Sequence, residues 1–198
     1  MEIKKPCNVY EELREDLSYM HVAELKKTLE SFRLFSKAFN KEELIDRLVH
    51  FAATGKELAP KKIPAISKAQ RGVVYLLAPQ TLMLEGAYKN DYVTRQFFKT
   101  LIGPHFHYTA WGIDWLREKW LSGTPPTYAQ FAYVWKAEYE RNKQHKRAPK
   151  QEWAYIRFVQ AYMQWAPHAA REEVHAAWEV ERKKHVAKAQ AMLTALRF

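Results

Sequence analysis

Residues 19–51 read YMHVAELKKTLESFRLFSKAFNKEELIDRLVHF. Val22, Leu25 and Leu29 recur at three- and four-residue spacing, which places them on one face of a helix over His21–Phe32. Asn40 then offers a side-chain acceptor just before Lys41-Glu42-Glu43, the signature of a second helix start, and Leu44, Leu48 and Phe51 continue its apolar stripe. Gly55 is the expected stop, because glycine enters the left-handed conformation that closes many helices. Between the two helices Phe32, Leu34, Phe35 and Phe39 form a bulky aromatic connection. Two short amphipathic helices in so few residues set the expectation for the whole chain, an all-α fold.

The same punctuation extends outward. A short helix is expected over Val9–Leu17. Residues 56–72, KELAPKKIPAISKAQRG, carry two prolines and a local excess of Lys and Arg, and read as a basic linker. Residues 73–89 are interrupted by Pro79 and Gly86; they fit a short helix followed by an extended arm over Thr81–Leu84. From there the pattern is helical. Asn90 or Asp91 caps a helix ended by Gly103-Pro104, and Thr109 starts another closed by Gly123. Thr124-Pro125-Pro126 reads as a helix start, since proline is tolerated in the first turn. Helices over Lys150–Trp165 and Ala170–Leu196 follow, separated by Pro167. The expected organisation is serial: a helical segment over 1–55, a linker over 56–72 and a larger aromatic-rich helical domain over 73–198.

The chain has 198 residues, long enough to bury a core without disulfide or metal support, and its single Cys7 cannot form an internal disulfide. No stretch approaches the ~20 apolar residues of a membrane span, and the first residues lack the apolar run of a secretory signal. The expectation is therefore a cytoplasmic protein without a membrane partner. Net charge is +10, which suits a polyanionic partner. Residues 1–59 hold 10 Lys and Arg against 11 Asp and Glu, so the positive excess lies entirely in the remainder.

The two-helix segment resembles the SAP motif, a helix–extended–helix module that binds duplex DNA. Leu25, Leu29, Lys41, Glu43, Leu44, Arg47 and Leu48 follow that pattern. The resemblance implies that Lys41 and Arg47 face phosphates, assisted by Lys26, Lys27, Arg33 and Lys37. Leu34 and Phe39 stand where the family usually has glycine, and Glu30, Glu42, Glu43 and Asp46 offset the local positive charge. A structural or protein-docking role for the segment therefore stands beside DNA contact. Residues 81–142 are similar to a bacterial helical domain of unknown function that often follows a SAP-like segment. The similarity rests on Thr94-Arg95-Gln96-Phe97-Phe98, on Ile102-Gly103-Pro104-His105-Phe106-His107-Tyr108, on Trp115, and on Gly123-Thr124-Pro125-Pro126-Thr127-Tyr128. It implies a domain order and a fold class but no activity.

Catalytic signatures are missing from the sequence: there is no GxSxG elbow, P-loop, dinucleotide glycine fingerprint, HExxH pair or cysteine cluster. The chain reads as non-enzymatic and without a cofactor. His105 and His107 have ligand-like spacing, yet a metal would need Asp114 or His145 as well, and surface histidines are the expectation. Seven tryptophans at helical spacings read as core, with Trp165 beside Ala166-Pro167 the one expected at the surface. Phosphate contacts outside the SAP-like segment are expected from Lys61 and Lys62 in the linker, and from Arg141, Lys143, Lys146, Arg147 and Lys150. A third cluster, Arg182-Lys183-Lys184-Lys188, reads as a solvated helix face in which Glu179 pairs with Lys183. The leading expectation is a nucleic-acid-binding accessory protein, with duplex DNA favoured over RNA. The alternative is a helical protein-interaction module.

Overall fold

The computed structural model describes residues 9–37, 40–144 and 148–195. Among them are eight α-helices and no strand: α1 (Val9–Leu17), α2 (Val22–Ser31), α3 (Lys41–Thr54), α4 (Tyr92–Ile102), α5 (Ala110–Leu121), α6 (Tyr128–Gln144), α7 (Ala154–Trp165) and α8 (Arg171–Ala195). The fold is all-α, and no helix among the described residues is long and apolar enough to cross a membrane.

The chain forms two compact units, and their composition departs from the serial expectation. One unit joins residues 1–60 to 148–198; the other comprises 61–147. In the first unit α1 packs on α3 and α8, α2 on α3, and α7 on α8. Leu13 and Leu17 from α1, Leu25 and Leu29 from α2, and Leu44, Ile45 and Leu48 from α3 share one core with Ala189 and Leu193 of α8. Three short helices expose more apolar surface than they can cover alone, and the last helix closes it. Cys7, Phe39 and His145 lie outside the described residues.

Helix ends follow local chemistry. The Asn40 side chain accepts from the Glu43 N–H, and Gly55 takes φ 66° at the end of α3. Asp91 accepts from Thr94 N–H at the start of α4, and Thr109 from Gly112 N–H at the start of α5. The end of α2 is less ordinary. Leu34 N–H donates to Leu29 O and Arg33 N–H to Glu30 O, a Schellman closure that puts Arg33, at φ 59°, where glycine is usual.

The second unit corrects the linker. Lys61 onward belongs to this unit, with Ile63 and Ser67 buried and a 3-10 turn at Ala65–Ser67. Glu85 N–H donates to Ser67 O and Ala69 N–H to Glu85 O, so the proline-containing segment is an ordered strap. Residues 73–89 contain no helix; their extended part is held where Met83 N–H donates to Pro126 O and Tyr128 N–H to Thr81 O. That pairing also moves the start of α6. Thr124-Pro125-Pro126 stays extended, and the helix begins at Tyr128, where Thr127 and Gln130 cap each other reciprocally. Met83, Phe98, Phe106, Leu116, Phe131 and Trp135 form the heart of this unit's core.

Candidate nucleic-acid interface

The SAP-like cations divide sharply. Lys26, Lys27 and Lys37 are exposed. Arg47 is only 2% exposed: its Nη2 donates to Glu43 Oε1 at 2.6 Å, its Nη1 to the Phe35 carbonyl at 2.7 Å, and its guanidinium lies 4.9 Å from the centre of the Phe35 ring. Lys41 is half-buried and donates to the Ser18 carbonyl just past α1; burial pushes its ammonium down to about 8. Both residues therefore fasten the first unit from inside. The sequence held one signal of this, the Glu43/Arg47 spacing of four beside the apolar stripe of Leu44 and Leu48.

Other cations of the first unit are also engaged. Arg14 meets Asp46 at 2.5 Å, Arg157 meets Glu15 at 2.7 Å, and Arg182 meets Glu24 at 2.5 Å. Lys188 pairs with Glu12 at 3.2 Å and with the buried Asp16 at 3.4 Å. Lys150 approaches Glu152 at 3.8 Å. On α8 the lysine–glutamate pair among the described residues is Glu181–Lys184 at 3.0 Å in place of the expected Glu179–Lys183, while Arg182 and Lys188 turn toward acids of α2 and α1.

The second unit has the opposite balance. Its residues 61–147 include 14 Lys and Arg against 6 Asp and Glu, a net of +8, while the first unit nets +2. Lys61, Lys62, Lys68, Arg71, Lys89 and Lys136 are exposed, and none has an ion pair among the described residues. Arg141 and Lys143 stand on the last turns of α6. Arg141 binds Glu138, and Lys143 reaches Glu140 at 2.9 Å while its Nζ sits 4.6 Å from the centre of the Tyr139 ring. The Lys143–Glu140 pair, exposed on both sides, contributes little and exchanges readily for another anion. Lys146 and Arg147 lie outside the described residues.

Beside Arg141 and Lys143 is a cleft of about 250 Å³. One wall is a single face of α6, where Trp135, Glu138, Tyr139 and Asn142 follow one another at helical spacing; the other is His107, Thr109 and Trp111 at the start of α5. Trp135 and Tyr139 stack with centroids 5.1 Å apart and planes 13° apart, and His105 stacks on Tyr139 at 4.7 Å. Gly103 permits this: with φ 129°, a Cβ there would come within 2.9 Å of the His105 ring. His107 Nδ1 lies 3.1 Å from the His105 carbonyl, so the two histidines serve the aromatic wall, and no group of three metal-ligating side chains occurs among the described residues. The Glu138 carboxylate is buried and receives Arg141 and Asn142. Trp135 is 2% exposed, and its indole N–H has no hydrogen-bond partner. Trp165, by contrast, is 78% exposed, where the sequence places a surface tryptophan.

The core positions expected for Trp135 and Tyr139 from their spacing are borne out, but nothing local in the sequence announces that the start of α5 faces them and leaves a cleft. No protein-family model, curated protein or solved structure matches the chain at a significant level.

Proposed function

We propose that the protein binds nucleic acid without catalysing a reaction, and that the unit formed by residues 61–147 makes most of the phosphate contacts. The observation that carries this reading is the +8 net charge of that unit together with its exposed, unpaired lysines. A polyanion gains by displacing its condensed counterions onto such side chains, and the contact needs no base sequence. Within the SAP-like segment only the exposed Lys26, Lys27, Arg33 and Lys37 are left to meet phosphate, because Arg47 and Lys41 are held internally. Duplex DNA is the favoured ligand, with RNA as the competitor.

A salt titration of the full chain on a labelled 20-base-pair duplex, followed by fluorescence anisotropy, tests the proposal. Six neutralised phosphates correspond to a slope of about −5 in log K against log salt. Lack of binding to duplex DNA, duplex RNA and single strands at low salt would overturn it. A second reading, a protein-docking module, draws on Ile66, Val74 and Leu76, which are 69%, 83% and 74% exposed. Under that reading, Val74→Asp abolishes capture of a protein partner and leaves nucleic-acid affinity untouched.

A further inference from the structure

We infer that the cleft between the start of α5 and the last turns of α6 receives the base of one unpaired nucleotide, whose phosphate rests on Lys143. The inference rests on the nucleic-acid reading and makes it more specific.

The shape and chemistry of the cleft select the ligand. Its accessible rings are Trp111 on α5 and Tyr139 on α6, with the buried Trp135 behind them, a lining that favours a planar aromatic guest. A cationic guest is disfavoured, since the Glu138 carboxylate is already occupied by Arg141 and Asn142 while Lys143 stands at the rim. An anionic attachment suits the rim: the one ion pair of Lys143 among the described residues is with the exposed Glu140, and the N-terminus of α5 adds its partial positive charge. Trp135 itself is 2% exposed and backs the cleft, so a guest meets the partly exposed rings of Trp111 and Tyr139. A nucleotide within an intact duplex cannot enter, so the guest must be bulged, flipped or single-stranded.

The test compares three labelled DNAs on the full-length protein: a perfect 20-base-pair duplex, the same duplex with one bulged nucleotide, and a single strand. Tryptophan fluorescence is read alongside anisotropy, with free 5′-mononucleotides as a further arm. The expected result is binding about ten-fold tighter to the bulged duplex than to the perfect one, with tryptophan quenching, consistent with one stacked base. Trp111→Leu should erase that preference while leaving affinity for the perfect duplex unchanged. Lys143→Gln, on an exposed side chain and so safe for folding, should reduce the same preference. Equal affinity for bulged and perfect duplex overturns the inference but leaves the phosphate reading standing. Failure to bind any nucleic acid overturns both. Quenching by free mononucleotides without preference for the bulge also overturns it, because the cleft would then serve a free nucleotide.

Discussion

Arg47→Met tests the inward role of a side chain that its motif would send to phosphate. Arg47 and Glu43 are 2% and 6% exposed in their side chains, and their nitrogen and oxygen meet at 2.6 Å. Removing the arginine leaves the Glu43 carboxylate buried and without its main counter-charge, a change that costs about 3–5 kcal/mol. The Phe35 carbonyl adds little, because Phe35 is 42% exposed and water can take the place of Nη1. Loss of the guanidinium over the Phe35 ring adds about 0.5 kcal/mol. The expected total is about 4 kcal/mol, or a fall of about 2 M in urea midpoint for a slope near 2 kcal/mol/M. Urea unfolding followed by far-ultraviolet circular dichroism reads this directly. The double variant Glu43→Leu/Arg47→Met removes the stranded charge and should recover to within about 2 kcal/mol of the wild type. Affinity for duplex DNA should not change in folded Arg47→Met. A loss of under about 1 kcal/mol combined with weakened DNA binding would refute the reasoning, and so would a double variant no more stable than the single one.

Arg33→Gly relieves a left-handed backbone at the end of α2 and should stabilise the protein by about 0.5–1 kcal/mol, seen as a raised Tm; an unchanged or lowered Tm counts against that account. Lys41 gives a pH signature. Its folded value of about 8 lies below its ordinary 10.5, so the unfolded chain binds more protons between those values and stability rises with pH there. Between pH 7 and pH 9.5 the wild type should gain about 1 kcal/mol relative to Lys41→Met, after allowance for screening of a partly exposed ammonium; parallel Tm profiles would contradict this. Lys61→Gln/Lys62→Gln removes two exposed charges of the second unit and should flatten the salt dependence of duplex binding by about 1.8 in slope, whereas Arg182→Gln, which breaks the pair with Glu24, should leave that slope alone.

What could be read from the chain was whatever a few neighbouring residues decide. Asn40, Asp91, Thr109 and Gly55 mark helix ends because each satisfies backbone groups within three or four residues of itself. Pairings at long range were not legible. Ala189 and Leu193 look like any apolar positions on a long helix, and only the folded chain shows that they complete the core of Leu13, Leu17 and Leu48. The prolines at 60 and 64 suggested a linker, yet Ile63, Ser67 and the backbone exchange with Glu85 make its second half part of a unit. At the candidate site the α6 face of Trp135, Glu138, Tyr139 and Asn142 follows from helical spacing, but its opposing wall at Thr109 and Trp111 depends on how α5 returns.

The division of the first unit between the two ends of the chain sets an order of events during synthesis. Leu13, Leu17, Leu25 and Leu48 emerge early, but Ala189 and Leu193 follow only after the whole of 61–147 has been translated. At about 5–20 residues per second, the nascent α1–α3 cluster waits on the order of ten seconds with an uncovered apolar face, while the second unit already has its complete sequence. The α1–α3 cluster is thus translated before 61–147 but completed only after it.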